Sequence, residues 1–141
     1  TRSQTVTGVQ TCALPIYISS KAISWAEQIG ENCFILEANV LQPRVTIGDN
    51  VVLWSGNHIG HHTKVADSCF IASHVVVSGN VRIGERTFCG VNATIRDNVC
   101  VGVENIIGAG TLIMSDTEDK AVYYSKGASP SKVSSDRVRG L

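Results

Sequence analysis

The fold of this chain is decided by residues 53–99, which read LWSGNHIGHHTKVADSCFIASHVVVSGNVRIGERTFCGVNATIRDNV. Within this stretch an aliphatic residue, or once a cysteine, stands at every sixth position. These positions are Leu53, Ile59, Val65, Ile71, Val77, Ile83, Cys89 and Ile95. Neither an α-helix, with about 3.6 residues per turn, nor a simple strand, with a period of about two, produces this spacing. Because hexapeptide repeats are typical of parallel β-helices, the spacing predicts that fold.

The same register continues on both sides of this stretch, from Ile23 to Ile113. The additional anchor positions are Ile23, Ile29, Ile35, Leu41, Ile47, Val101, Ile107 and Ile113. A second period, of three hexapeptides, is seen in the residues directly after every third anchor, which are Gly30, Gly48, Ala66, Gly84 and Gly102. We expect this column to form a tight turn at one corner of a triangular prism. The chain should therefore be all-β, with about five coils between residues 17 and 113.

The residues two positions before each anchor are also expected to point into the prism. They are small, β-branched or amide residues: Cys33, Asn39, Val45, Val51, Asn57, Thr63, Cys69, Val75, Val81, Thr87, Ala93, Val99, Asn105 and Thr111. Asn39 and Asn57 lie one coil apart, so we expect their amides to form a hydrogen-bonded ladder. Buried amides require such partners.

Composition and charge exclude several classes of function. The 141 residues include 12 basic and 12 acidic side chains, and the resulting formal charge of zero gives no electrostatic footprint for nucleic acid or an anionic membrane surface. No apolar run approaches the roughly 20 residues of a membrane span. We expect a single domain in the cytoplasm.

The two ends of the chain differ from the repeat. Residues 1–16, TRSQTVTGVQTCALPI, lie outside the register, and VTGVQTCALPI resembles a translated sequencing-adapter fragment. We interpret residues 1–16 as non-native; the alternative is a genuine disordered N-terminus. The register stops after Ile113, so we expect residues 114–141 to form a C-terminal cap or tail.

The cysteines are predicted to be free. Cys33 and Cys69 share a column two coils apart, which at about 4.8 Å per coil separates them by about 10 Å. This exceeds the roughly 7 Å between Cα atoms that a disulfide can span. Cys89 is an anchor and should be buried, and a reducing compartment fits this pattern best.

All four histidines lie between positions 58 and 74, and none occupies an inward position of the repeat. His58 directly precedes an anchor, His61 and His62 follow Ile59 by two and three residues, and His74 follows Ile71 by three. An imidazole is suited to act as a general base near neutral pH. A cluster of outward histidines therefore suggests proton-transfer chemistry on the surface of the prism.

Residues 17–133, and residues 53–99 most specifically, resemble left-handed β-helix sugar acyltransferases of the sialic acid O-acetyltransferase type, a group that includes nucleotide-amino-sugar N-acetyltransferases. The resemblance implies a left-handed helix, a homotrimer with active sites between subunits, and acetyl-CoA as the acyl donor without a metal. It also implies that a nucleotide-sugar-binding α/β domain usually precedes the helix. We expect that domain to be missing here.

The resemblance also assigns residues. His61, within His58-Ile59-Gly60-His61, matches the catalytic histidine and would act as general base. The next residue is often acidic in the family, whereas this chain has His62, a candidate modulator of His61.

The remaining assignments concern the ligands. Val91 and Ala109 match acetyl-CoA contacts, and small residues suited to the thioester pocket include Gly56, Gly79, Gly90 and Gly110. Candidate acceptor-binding residues are Asn57, His58 and His74. Cations of the tail, Lys126, Lys132 and Arg137, could meet the phosphates of CoA. The acceptor group, hydroxyl or amine, is left open.

Two other classes of function compete with acyl transfer. γ-Carbonic anhydrases use the same prism with three zinc-binding histidines, but the histidine spacings of 3, 1 and 12 here do not match that pattern. A non-catalytic scaffold or an inactive fragment is the other alternative, since a fold alone does not establish a function.

Overall fold

The computed structural model describes residues 3–6, 9–12 and 15–137. The side chains of residues 1–14, including Cys12, lie outside this description. The interpretation of residues 1–16 as non-native therefore stays a prediction. Within the described residues, no helix is long and apolar enough to cross a membrane.

Among the described residues nearly all regular secondary structure is in two-residue strands joined by turns, as a hexapeptide repeat requires. After the antiparallel pair β1 (Ser3–Val6) and β2 (Val9–Cys12), the strands are β3 (Tyr17–Ile18), β4 (Ile23–Ser24), β5 (Gln28–Ile29), β6 (Phe34–Ile35), β7 (Val40–Leu41), β8 (Thr46–Ile47), β9 (Val52–Leu53), β10 (His58–Ile59), β11 (Lys64–Val65), β12 (Phe70–Ile71), β13 (Val76–Val77), β14 (Arg82–Ile83), β15 (Phe88–Cys89), β16 (Thr94–Ile95), β17 (Cys100–Val101), β18 (Ile106–Ile107), β19 (Leu112–Ile113) and β20 (Val122–Tyr123). A 3₁₀ turn covers Ser135–Arg137.

Every third strand stacks in parallel on the one before it, which gives three sheets. Sheet I has seven strands (β3, β6, β9, β12, β15, β18, β20), sheet II six (β4, β7, β10, β13, β16, β19) and sheet III five (β5, β8, β11, β14, β17). The chain passes from sheet I to II to III in each coil, so the prism has corners I/II, II/III and III/I. The predicted all-β solenoid of hexapeptide repeats is confirmed, with about six turns rather than five. Its handedness stays a prediction.

The register predicted from the sequence is wrong at its first anchor, Ile23. β4 pairs Ser24, not Ile23, with the inward Leu41, whereas Ile29 pairs with Ile47. The corner between β4 and β5 is therefore one residue shorter than the next one. Ile23 consequently lies in the outward column and is 50% exposed.

The interior of the prism matches the prediction from Cys33 to Ile113. All fourteen residues predicted two places before an anchor are buried. The asparagine ladder differs from the expected one, because the buried amides bond to backbone. Asn39 Nδ2 donates to Trp54 O (2.6 Å), and Asn57 Oδ1 accepts from Val75 N–H (2.8 Å). Direct amide-to-amide bonds occur instead at exposed corners, from Asn32 to Asn50 and from Asn80 to Asn98, both at 2.8 Å.

The corner turns also differ from the expectation. Positive φ angles occur three residues after each anchor from Ile29 to Ile107, for example at Asn50 (56°) and Asn98 (60°), and not at the glycine column after the anchors. The glycines serve close stacking instead: a Cβ on Gly84 would lie 2.6 Å from the backbone of Gly102. Asparagine tolerates the left-handed region better than most residues, which explains its frequency at these turns.

Cys33, Cys69, Cys89 and Cys100 are free, so the predicted absence of a Cys33–Cys69 bridge is confirmed. Burial raises the pKa of the Cys69 thiol to about 11 and that of Cys89 to about 12. These two thiols are therefore protonated at neutral pH.

Candidate functional site

The four histidines lie on the outside of the prism at three places. His61 and His62 lie at corner II/III, His58 lies on the outer face of sheet II in β10, and His74 lies at corner I/II. His61, His62 and His74 are exposed and His58 is half-buried. The expectation that none fills the core is confirmed.

The side chains of His61 and His62 contact each other directly. Their Nδ1 atoms are 3.0 Å apart, and the two rings meet edge to face with centroids 5.2 Å apart. One Nδ1 must carry the proton of this bond and the other must accept it. When His61 donates, its Nε2 keeps a free lone pair and can accept a proton from another molecule. Neutral His62 can thus supply the acceptor that an acidic neighbour would supply.

The backbone around His61 is held by bonds to the adjacent coils. His61 N–H donates to Gln42 Oε1 (2.9 Å), and His61 O accepts from Asn80 N–H (2.7 Å). His62 takes a φ of 60° and donates its N–H to Pro43 O (3.2 Å). The role of Gln42 was missed from the sequence, because its importance depends on the stacking of one coil on the next. The bonds position the tandem histidines for their ring contact.

Gly79 lies one coil after His61 in the same column. A Cβ at Gly79 would lie 2.7 Å from both Cε1 and Nε2 of His61, so the imidazole packs directly on this glycine. Gly79 N–H bonds to none of the described residues, while Gly79 O accepts from Asn98 N–H (3.0 Å). A backbone amide without such a partner, next to an imidazole, can bind an oxyanion. Of the predicted small residues, Gly79 is the one that the structure brings to His61.

The other predicted ligand contacts lie at corner I/II. The imidazole of His74 packs on Gly56, and Gly110, with a φ of 66°, donates its N–H to Val91 O (2.8 Å). Val91 is 43% exposed and lines a cleft of about 200 Å³ with Trp54 and Phe70.

Two further residues predicted for the ligand pocket lie at this corner. Ala109 is exposed, and its carbonyl accepts from Ser125 Oγ (3.1 Å). Gly90 is buried where a Cβ would meet the backbone of Ala109 at 2.7 Å. Sheet II therefore separates this group from the tandem histidines within one chain.

One predicted substrate contact needs correction. Asn57 is 1% exposed, and both ends of its amide are used inside the prism, by Val75 N–H and by Trp54 O (2.8 Å each). It is a structural residue that cannot reach a ligand on the outside. The tail cations Lys126, Lys132 and Arg137 are all exposed.

The described residues contain no group of three His, Cys, Asp or Glu side chains that could hold a metal ion. The histidines that the sequence places close together are divided between two corners and one face. Only His61 and His62 form a contact, and two imidazoles are fewer than the three protein ligands of a catalytic zinc site.

A family model described as "Bacterial transferase hexapeptide (six repeats)" matches residues 28–61 and 44–79. No curated protein sequence matches the chain significantly.

Several solved structures share the fold. The acetyltransferase domain of PglB from Neisseria gonorrhoeae, also solved with acetyl coenzyme A, is 28% identical, with a TM-score of 0.75 over 78% of this chain and 54% of that one. PerB from Caulobacter crescentus, solved with CoA and GDP-perosamine, is 25% identical, with the same TM-score and the same coverage of both chains. A variant of perosamine N-acetyltransferase from Caulobacter crescentus is 24% identical, with a TM-score of 0.75 over 78% of this chain and 53% of that one. At this identity the match shows the fold alone. This chain spans about half the length of these proteins.

Proposed function

We propose that this chain, whose residues 28–79 match the bacterial transferase hexapeptide model, transfers an acetyl group from acetyl-CoA to an amine or hydroxyl of a nucleotide-linked sugar. The observation that carries the proposal is the tandem histidine pair, whose His61 ring packs on Gly79 beside a free amide. The CoA complex of PerB and the acetyl coenzyme A complex of the PglB domain support the choice of donor.

The proposed reaction uses His61 as general base. Its Nε2 takes the proton of the acceptor as the acceptor nitrogen or oxygen forms a bond to the thioester carbon. The carbonyl oxygen becomes an oxyanion, which Gly79 N–H stabilises. As the tetrahedral intermediate collapses, the carbon–sulfur bond breaks and the proton held by His61 passes to the CoA thiolate. No group on the enzyme is changed by the cycle.

His62 sets the tautomer of His61 in this scheme. With neutral His62 accepting at Nδ1, the proton of neutral His61 is held at Nδ1 and Nε2 is free to act. A protonated His62 has no acceptor at Nδ1, so it would instead donate to His61 and leave the proton of His61 on Nε2. Reaction therefore requires His62 in its neutral form.

We also propose that the active site is completed by a second copy of the chain in a homotrimer. The His61–His62 pair and the Val91 and Gly110 group lie at different corners, so one prism cannot bring them around one acetyl group. A neighbouring prism could bring its I/II corner against His61. Acetyl-CoA and nucleotide sugars are cytoplasmic metabolites, so we propose the cytoplasm as the site of the reaction.

The test is a thiol-release assay with acetyl-CoA and a panel of nucleotide-linked sugars that carry either a free amine or only hydroxyls. We expect His61→Ala and His61→Asn to reduce turnover by about 10²–10⁴-fold, the usual contribution of a general base. The control Asn50→Gly alters an exposed turn at corner III/I and should leave turnover unchanged. Full activity of both His61 variants would contradict the mechanism, and a monomer in sedimentation that remains fully active would contradict the shared site.

A further inference from the structure

The outer face of sheet III carries two adjacent cations, Lys64 and Arg82, beside the tandem histidines. Thr46, Lys64 and Arg82 are paired in register on consecutive strands, at steps of about 4.8 Å. They line a groove of about 620 Å³ together with Arg44 and His62 from corner II/III. We call this surface the cationic groove; its other lining residues are Glu27, Gln28 and Asn80.

The cations in the cationic groove are not neutralised by the protein. Lys64 and Arg82 stand directly opposite each other, an arrangement of like charges that destabilises a sheet. Among the described residues, neither they nor Arg44 has a carboxylate within salt-bridge distance. One carboxylate, Glu27, lines the groove against these three fixed positive charges.

Two other cations among the described residues, Arg86 and Lys120, are paired with carboxylates, whereas Lys21 and Arg96 are not. At corner III/I, Arg86 contacts Glu85 (2.9 Å) and Glu104 (2.8 Å), and Lys120 lies 3.9 Å from Glu104. Stacked coils can thus place opposite charges in neighbouring positions. In the groove, three uncompensated cations line one surface, and this convergence suggests an anion that comes from outside the chain.

We infer that the cationic groove binds the diphosphate of a substrate of the proposed acetyl transfer. The inference rests on the proposed function, since CoA and nucleotide sugars both carry a diphosphate. The volume of the cationic groove lies within the range of roughly 300–1,000 Å³ that is usual for small-molecule sites. The groove includes His62, whose Nδ1 is 3.0 Å from that of His61, so a diphosphate bound there lies next to the proposed base. Arg and Lys are the side chains best suited to phosphate oxygens.

Binding measurements on the full chain test this inference without requiring turnover. Inorganic pyrophosphate, CoA, GDP and UDP are titrated separately by calorimetry at low ionic strength, where surface charges are weakly screened. We expect Lys64→Gln/Arg82→Gln to weaken the binding of CoA, or else that of GDP and UDP, by at least tenfold. The affinity for pyrophosphate should fall to a similar extent. The class that is weakened identifies the substrate whose diphosphate lies in the groove. Lys64→Arg should retain binding.

The control with the same change in charge is Arg86→Gln/Lys120→Gln, whose residues do not line the groove and have no proposed ligand role, and it should leave all four affinities within twofold. Because Lys64→Gln/Arg82→Gln relieves like-charge repulsion, its Tm should equal or exceed that of the parent. The inference is overturned if this groove variant changes no affinity by more than twofold, if Arg86→Gln/Lys120→Gln weakens binding as much as the groove variant does, or if the parent chain binds none of the four probes at millimolar concentration. Binding that depends on the groove, without any acetyl transfer, would support the inference and contradict the proposed function. If the groove variant instead transfers acetyl groups normally, with unchanged KM for both substrates, the proposed function would be supported and the inference contradicted.

Discussion

Replacing Gly79 with alanine is expected to slow acetyl transfer by displacing the imidazole of His61. The new Cβ would lie 2.7 Å from Cε1 and Nε2 of that ring. Ordinary contacts require about 3.5–4.0 Å, so the ring must move by about 1 Å. A shift of about 1 Å in a reacting group can reduce the rate about 10²-fold.

The same substitution should have little effect on the fold. The φ of Gly79 lies outside the left-handed region, so alanine adds no backbone strain there. The displaced His61 ring is exposed, and alanine reduces the entropy of the unfolded chain by about 0.4–1 kcal/mol. The free energy of unfolding should therefore change by less than about 1 kcal/mol.

The assay compares kcat from thiol release with the midpoint of urea unfolding for Gly79→Ala and for the control Gly127→Ala. Gly127 has no atom within 4 Å of its virtual Cβ, so this control should behave as the parent. In a His61→Ala background, Gly79→Ala should cause no further loss of kcat, because the displaced group is already absent. The reasoning is refuted if Gly79→Ala keeps more than about a third of the parent kcat, or if it slows the His61→Ala enzyme about 10²-fold as well.

Three further predictions concern His62, Asn57 and Glu104. His62→Glu should keep kcat within about threefold of the parent, because a carboxylate can accept the hydrogen bond from His61 Nδ1–H. His62→Ala removes the acceptor and should lower kcat at least about tenfold. Steady-state kinetics of both variants checks this. Asn57→Ala leaves the buried Val75 N–H without a partner, while Trp54 O keeps its bond from Asn39 Nδ2, and should cost about 1–3 kcal/mol in urea unfolding, against less than about 1 kcal/mol for Asn50→Gly. The hydrogen bond from Arg86 lowers the pKa of Glu104 below its ordinary value of 4.5. The contribution of ionised Glu104 to stability is therefore present above pH 4.5 and is lost as the pH falls through the lowered pKa. Across this range the Tm of Glu104→Gln should fall less than the Tm of the parent. Equal falls in Tm would contradict the assignment.

Most of the fold could be predicted because each coil repeats the same local rules. Aliphatic residues at every sixth place and small residues two places earlier specify which side chains enter the prism, and the structure agrees from Cys33 to Ile113. The error at Ile23 arose because a corner shorter by one residue shifts the register without interrupting the sequence pattern. The pairing of Ser24 with Leu41 becomes visible only when the coils are stacked.

The candidate site was predicted in part. The outward positions of His61 and His62 follow from the repeat, and their adjacency in sequence made an interaction between them plausible. The contact of the His61 ring with Gly79 depends on the distance between coils, and the bond to Gln42 depends on a side chain from the coil before. Asn57 was assigned to the substrate, yet the structure places it in the core, since its inward column takes precedence over its proximity to His58.

The sequence by itself determined that the chain is a hexapeptide solenoid, which side chains face inward, and that the histidines lie outside. These properties depend on periodicity, and a period of six is a local property that can be read without coordinates. The tertiary structure alone decided which outward residues meet, because residues about 18 apart become neighbours only when coils stack. It joined His61 to Gly79 and Lys64 to Arg82, and it left His74 and Val91 at another corner. The surroundings of the proposed base, and the cationic groove beside it, are therefore properties of the stacking rather than of the repeat.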